Sequence, residues 1–326
     1  MDSVKSGQGQ IWKGEKVIYH YHIWKVLPNA SLVQKEFLYR LLEWDMDQIK
    51  LAHGTGTTMM HVSKGSMESR VVPIPPLPEQ QRIVTILDEA FEGISTATAN
   101  AKKNLANARE IFQSQLKSVF TQKGGSWVVA TIGDIAQIKG GKRVPKGYKL
   151  SSTQTKYPYL RVTDFHDDGS IDMSDLRYVD ASVHSQIKKY IITPKDLYIS
   201  IAGTIGKTGI IPDELNGANL TENACRLVFR SDINNRFIYY FTRTSDFIEQ
   251  TGLNTRTAAQ PKLALSRLST TVIRIPNLKE QSKIVSKLDE LSAETRKLEV
   301  IYLQKIAAFE ELKKSILNQA FSGQLN

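Results

Sequence analysis

Cysteine occurs once among these 326 residues, as Cys225. A single thiol excludes an intrachain disulfide, and a chain so poor in cysteine suits a reducing cytosol. Long apolar runs are missing as well. No window approaches the roughly 20 apolar residues that a bilayer-spanning helix needs. The opening MDSVKSGQGQ is polar, unlike a secretory leader. The expectation is a soluble, cytoplasmic protein with no membrane partner. Acidic excess is absent too: 43 Lys and Arg face 33 Asp and Glu, a net charge of +10. A balance of that sign points toward a polyanion. Hydrophobic residues at 41% suffice for packed cores, which excludes a disordered tail.

Catalytic signatures are also lacking. No Asn/Asp-Pro-Pro-aromatic tetrapeptide is present for amino-group methylation, and no acid cluster with a following Glu-x-Lys for nuclease metal binding. Gly206-Lys207-Thr208 resembles the end of a phosphate loop, but Ile201 stands where that motif needs a glycine. An NTPase built on Lys207 is therefore disfavoured against a backbone turn. His20 and His22 form too sparse a pair for a metal, and no His is singled out to activate Cys225. The chain reads as non-enzymatic, with no catalytic, cofactor-binding or metal-binding residues.

What the chain does hold is one stretch written twice. Ile74-Pro75-Pro76-Leu77-Pro78-Glu79-Gln80-Gln81-Arg82-Ile83-Val84 returns as Ile275-Pro276-Asn277-Leu278-Lys279-Glu280-Gln281-Ser282-Lys283-Ile284-Val285. Leu87-Asp88-Glu89 returns as Leu288-Asp289-Glu290, and Phe120 as Phe321. The separation is 201 positions at Glu79 and Glu280 and again at Phe120 and Phe321. So long a period signals duplicated domains.

Prolines cannot continue a helix, so each copy begins a new one near its Glu-Gln pair. Apolar residues then recur in steps of four and three, the spacing of a coiled-coil seam. In the first copy they are Ile83, Leu87, Ala90, Ile94, Ala97, Ala101, Leu105, Ala108, Ile111 with Phe112, Leu116 and Val119. In the second they are Ile284, Leu288, Leu291, Thr295, Leu298, Tyr302, Ile306, Phe309, Leu312, Ile316 and Ala320. Gly124-Gly125 is a plausible stop for the first. Alanines in one copy face bulkier residues in the other, which suits two helices packed antiparallel on each other. The packing residues expected are Ile83, Leu87, Ile94, Leu105, Leu288, Leu291, Leu298, Tyr302 and Phe309. A generic dimerising helix is the plainer reading, and the fixed offset of two copies argues against it.

At the same offset Tyr39 falls on Tyr240, and Met1 falls on Ala202 inside the second unit. Residues 1–73 are then expected to be the later part of a unit whose counterpart of residues 127–201 is missing. Tyr19–Trp24 alternates as a strand does, and Gly54–Thr58 is a glycine-rich loop. Residues 125–274 read as a complete mixed α/β unit. Tyr157–Asp164 and Asp196–Ile201 read as strands, and Arg236–Gln250 as helix. Between them Lys139-Gly140-Gly141-Lys142-Arg143-Val144-Pro145-Lys146-Gly147 is a flexible basic loop, suited to phosphates.

These residues resemble a known family. The two copies, with the Ile-Pro-x-Leu-x-Glu-Gln opening and the Leu-Asp-Glu that follows, are similar to the central and C-terminal conserved regions of specificity subunits of type I restriction-modification enzymes. The resemblance covers nearly the whole chain. It implies globular target-recognition domains separated by a pair of long antiparallel coiled-coil helices. In this sequence those parts would be residues 1–73 (an N-terminally shortened first recognition domain), 74–124 (central helix), 125–274 (second recognition domain) and 275–326 (C-terminal helix). An intact family member would begin with a whole first recognition domain, and residues 1–73 depart from that.

By resemblance the chain is a non-catalytic subunit that binds double-stranded DNA and reads a bipartite site. It would dock methylation subunits, two of them, and a restriction subunit. S-adenosylmethionine, ATP and magnesium would belong to those partners, and a second specificity chain is a further partner, given the incomplete first domain. Expected phosphate grips are Lys139, Lys142, Lys146 and Lys207. Expected base readers are Arg143, Arg161, Asp164, Asn219, Thr221, Asn223, Arg256, Gln260 and Lys262, since Arg suits guanine and Asn or Gln suits adenine. The Thr255–Lys262 loop matches a family stretch close to DNA. The rival reading is a coiled-coil scaffold that does not bind DNA.

Overall fold

The structure is a computed structural model, and it describes residues 9–18, 23–52, 64–121, 127–253 and 262–324. The strand expected at Tyr19–Trp24 lies mostly outside these residues, as do His20, His22, the Gly54–Thr58 loop and Gly124-Gly125. The chain divides into two compact units. One holds Met1–Ala108 with Lys297–Asn326, the other Arg109–Arg296.

In the first unit, α1 (Lys35–Ala52) and the short α2 (Lys64–Glu68) precede α3 (Leu77–Thr121). The last named is 45 residues long, about 68 Å at 1.5 Å per residue. It starts directly after Pro75-Pro76 and carries Pro78 in its first turn, where a missing N–H costs nothing. Its early turns bury Ile83, Val84, Leu87 and Phe91 against Phe37 and Leu41 of α1. Leu317, Ala320 and Phe321 complete that core. Phe37 and Phe321 meet edge to face with centroids 5.5 Å apart. Around the cluster Trp44 donates to Asn318 Oδ1 at 2.7 Å, and Lys313 pairs with Glu43 at 2.7 Å.

The second unit takes in the last turns of α3 and continues with β1 (Val128–Thr131), which runs into the one-turn α4 (Ile132–Ile135). Thr131 caps that turn, and Asp134 answers it reciprocally as a capping box. Next come β2 (Ala136–Gly140), β3 (Pro158–Leu160), β4 (Arg177–Tyr178) and α5 (Ala181–Ile187). They are followed by β5 (Ile191–Ile192), β6 (Leu197–Ser200), β7 (Thr208–Gly209), β8 (Ala218–Leu220) and β9 (Ala224–Phe229). Helices α6 (Asn235–Phe241), α7 (Ser245–Thr251) and α8 (Leu265–Ser269) lead to β10 (Val272–Ile275), which pairs antiparallel with β1. The chain ends in α9 (Leu278–Phe321), 44 residues long.

Two four-stranded sheets result. One has the order β2-β9-β6-β7 and is antiparallel throughout; the other, β4-β3-β8-β5, contains one parallel pair. Both are short-stranded because turns interrupt every run. The segment Tyr157–Asp164 is a strand only over its Pro158–Leu160 part and then tightens into a 3-10 turn at Val162–Asp164. Arg236–Gln250 is two helices, since the Thr244 side chain accepts from Phe247 N and begins a new one.

The main core of this unit gathers Phe237, Ile238 and Phe241 from α6 with Phe112 and Leu116 from α3 and Val285 and Leu288 from α9. Phe120 lies 5.0 Å from Phe237 and 5.6 Å from Phe241, centroid to centroid. Within each unit, then, the beginning of one long helix packs with the end of the other.

Burial follows the expected seam with corrections. Ile83, Leu87, Ala101, Ala108, Phe112, Leu116, Leu288 and Thr295 are buried; Ile94, Leu105, Leu291, Tyr302 and Phe309 are half-buried. Leu298 is 40% exposed and Leu312 46%, so neither packs as expected. A stripe of period 3.5 drifts about 20° per heptad on a 3.6-residue helix, and not every step stays covered. Phe91 and Val285, outside the 4-3 count, are buried instead.

Large-to-small changes in such a core cost about 3–5 kcal/mol for an aromatic. Phe237→Ala, at a fully buried position, should lower unfolding stability by an amount in that range. Urea denaturation followed by circular dichroism measures it, and an unchanged midpoint would contradict the core assignment.

Candidate nucleic-acid interface

The basic loop leaves β2 where two backbones nearly touch. Gly141 N–H donates to Ala224 O at 2.9 Å, and Lys142 N–H to Leu220 O at 2.8 Å. A Cβ at Gly141 would sit 2.0 Å from Thr221 O and 2.4 Å from Leu220 O, so only glycine fits. The hydroxyl of the buried Tyr159 donates to Lys142 O at 2.9 Å and fixes the next residue. Burial pushes that hydroxyl up to about 12. The loop is thus anchored at its root, while the side chains of Lys142, Arg143 and Lys146 stand exposed.

Further cations gather there. Lys139 is exposed on β2 opposite Arg226 of β9. The Arg226 guanidinium is turned inward, pairing with Asp196 at 3.2 Å and donating to Lys189 O at 3.4 Å. That contact brings the exposed Lys188 and Lys189 beside the sheet. Lys142 Nζ lies 5.9 Å from the Tyr190 ring centroid, within cation–π range. Lys188, Lys189 and Tyr190 were not foreseen from the sequence. Their signal, two lysines before an aromatic at the end of a short helix, is too common to single out.

Charge is partly offset within the patch. Arg143, 79% exposed, holds Glu222 at 2.5 Å. Burial raises the Glu222 carboxyl, and the hydrogen bonds from Arg143 and Thr221 outweigh it and hold the group below the usual carboxylate range.

Several expected contacts are corrected by their surroundings. Asn219 is fully buried: its Nδ2 donates to Pro158 O at 3.2 Å and its Oδ1 meets His184 Nδ1 at 3.2 Å. Asp164 is buried and accepts from Arg161 N at 2.7 Å and from the Arg161 guanidinium at 2.6 Å. Arg161 is held as well by Asp175 at 3.2 Å. This pair closes a turn, so the Asp164 carboxylate and one edge of the Arg161 guanidinium are used internally. Lys207 Nζ donates to Phe165 O at 2.5 Å and faces Asp167 at 3.5 Å, so its charge is used internally. Thr221 is buried, its hydroxyl on Glu222 at 3.1 Å. Asn223 is half-buried, and its carbonyl accepts from Ile201 and Ala202 N–H groups. Lys262 is exposed beside a backbone bridge to Ala202. Arg256 and Gln260 lie outside the described residues.

Cys225 is fully buried in the strand behind this face, and burial pushes its thiol up to about 12. Among the described residues no helix is long and apolar enough to cross a membrane.

A family model described as the type I restriction modification DNA specificity domain matches residues 9–107 and 125–306. The chain is 23% identical to the type I restriction enzyme EcoBI specificity subunit of Escherichia coli, covering 97% of this chain and 71% of that one. It is 23% identical to the MjaVIII specificity subunit of Methanocaldococcus jannaschii, over 98% and 77% of the two chains. Among solved structures, a chain from a study of complex assembly and conformational transition of the type I R-M system aligns with a TM-score of 0.76 at 21% identity. That alignment covers 91% of this chain and 73% of that one. The HsdS subunit from Thermoanaerobacter tengcongensis aligns at 0.57 and 21%, over 91% and 72%. At these identities the structural likeness establishes the fold: α/β bodies with two long helices.

Two outcomes test the geometry. In the native protein at pH 8, Cys225 should resist iodoacetamide and react fully once unfolded in urea, because thiolate forms in number only near its raised value. Gly141→Ala should destabilise the fold and displace the basic loop, read as new protease cleavage within residues 139–147. Native-state alkylation in the first case, or an unaltered digest in the second, would contradict these placements.

Proposed function

The chain belongs to the type I restriction modification DNA specificity family, and from that premise we propose that it is the subunit that reads a bipartite duplex sequence for a methylation and restriction complex. The observation that carries the reading is the anchored loop at Gly140–Gly147. Its root is held by backbone and Tyr159, and its cations Lys142, Arg143 and Lys146 face outward beside Lys139, Lys188 and Lys189. Fixed exposed cations of this kind grip phosphates and set register; base edges are then read by groups on neighbouring loops. Lys139, Lys142, Lys146, Lys188 and Lys189 are assigned to phosphate. Arg143 and Lys262 are the exposed candidates for base contact, and Arg256 and Gln260, outside the described residues, are kept as candidates from the sequence.

In this reading residues 1–73 are the C-terminal part of a first recognition domain and residues 125–274 a second one, and residues 74–124 and 275–326 supply the helices between them. Methylation and restriction subunits dock on the helices, and S-adenosylmethionine, ATP and magnesium are theirs. This chain contributes binding and positioning and no catalytic group.

Mobility shifts with mixed-sequence duplex, with and without a methylation subunit, test the assignment. Affinity should fall steeply with salt, by about 0.9 logarithmic units per phosphate contact per decade of salt. Binding of the methylation subunit with no DNA binding would instead establish the scaffold. Lys142→Ala should weaken all duplexes alike and reduce the salt slope by about one, whereas Arg256→Ala should relax sequence preference. Glu222→Gln should release Arg143 and tighten mixed-sequence binding. Loss of binding in that last variant would contradict the offsetting role given to Glu222.

A further inference from the structure

The residues that the chain writes twice meet the globular bodies as well as the helix seam. Gln80 and Gln281, each the second residue of a Glu-Gln pair, are both buried completely or nearly so. Gln281 Oε1 accepts from Asn234 N at 2.8 Å, and its Nε2 donates to Asp232 O at 3.1 Å and Pro276 O at 2.9 Å. Gln80 repeats the pattern atom for atom. Its Oε1 accepts from Gln34 N at 2.8 Å, and its Nε2 donates to Leu32 O at 2.8 Å and Pro75 O at 2.7 Å. Two turns further along each helix, a duplicated aspartate reaches the same body. Asp289 receives Tyr240 Oη and Arg236 at 2.5 Å each, and Asp88 receives Arg40 at 2.8 Å.

These partners also correct the register of the duplication. Gln34 answers Asn234, and Arg40 answers Tyr240, so α1 aligns with α6 at 200 positions, while the helices align at 201. Tyr39 therefore corresponds to Tyr239 and not to Tyr240. The intervening residues number one more in the second copy, yet the joint is built the same way in both.

We propose that the duplicated Gln and Asp of each long helix are positioning residues that fix the direction in which the helix leaves its globular body. In the reading above, which this step rests on for its consequence, that direction sets the separation between the two DNA segments recognised. The physical reason is directional. Apolar burial of Val285 and Leu288 holds the helix to the body but is indifferent to small rotations. An amide that satisfies one N–H and two carbonyls at once is not, since a rotation breaks hydrogen bonds that buried groups cannot replace with water.

Distance measurement between spin labels in the full chain tests this. With Cys225 buried, labels go only to Glu214→Cys on the body and Gln304→Cys on α9, both exposed positions, the latter about 34 Å along the helix from Gln281 so that a small change of direction is magnified. The background protein should give one narrow distribution. Gln281→Met, similar in length and unable to form these bonds, should broaden and shift it by several ångströms. Asp289→Asn, at the joint's partly exposed edge, should do so to a smaller degree while leaving the fold intact. A lowered melting temperature with unchanged distances in both variants would overturn the proposal, leaving the amide a contributor to stability alone. Selection from a random duplex library supplies the second arm. The unaltered chain should enrich two segments at one separation, and Gln281→Met should tolerate several. If the unaltered chain enriches no duplex, the DNA reading fails, and the label distances still decide the joint.

Discussion

Aromatic burial between α6 and the ends of the long helices is the interaction on which the larger unit depends. Phe237 and Phe241 are fully buried, with Phe120 and Trp127 against them and Leu288 beneath. Each such side chain contributes about 1.5–3 kcal/mol by leaving water, and the cluster joins a helix that would otherwise be an exposed rod to a sheet-bearing body. The smaller unit solves the same problem with Phe37, Leu41, Leu87 and Phe321. A helix of this length has marginal stability alone; its packed stripe sustains it.

Electrostatics divide the cations into two groups. Arg161, Lys207 and Arg226 spend their charge on Asp164, Phe165 O and Asp196, and they stiffen the body. Lys139, Lys142, Lys146, Lys188 and Lys189 remain exposed around one loop. The first group makes the second useful, because a phosphate grip needs a rigid base. Gly141 is where the two meet: its missing side chain lets the loop's backbone bond to Leu220 and Ala224 carbonyls.

The duplication illustrates why identity of sequence and role of residue differ. Glu79 binds Arg82 on its own helix, whereas Glu280 accepts from Trp127. The neighbouring glutamines keep the same partners in both copies, since a buried amide must satisfy fixed backbone groups. A surface carboxylate has no such obligation and takes whatever donor is near.

The two long helices, their proline-marked starts, the mixed α/β class and the basic loop were all legible in the chain itself. Periodicity, proline and charge are local properties, and local geometry follows from them. Tertiary structure alone decided which polar side chains face outward. Asn219 and Asp164 read like base contacts in sequence, yet packing turns them inward, and Lys188 and Lys189 became part of the patch only when β9 and Arg226 brought them beside β2. It also moved Tyr39 from Tyr240 to Tyr239, since a one-residue difference is invisible until hydrogen bonds fix the pairing. Which way a side chain points depends on neighbours far along the chain, and no local pattern carries that information.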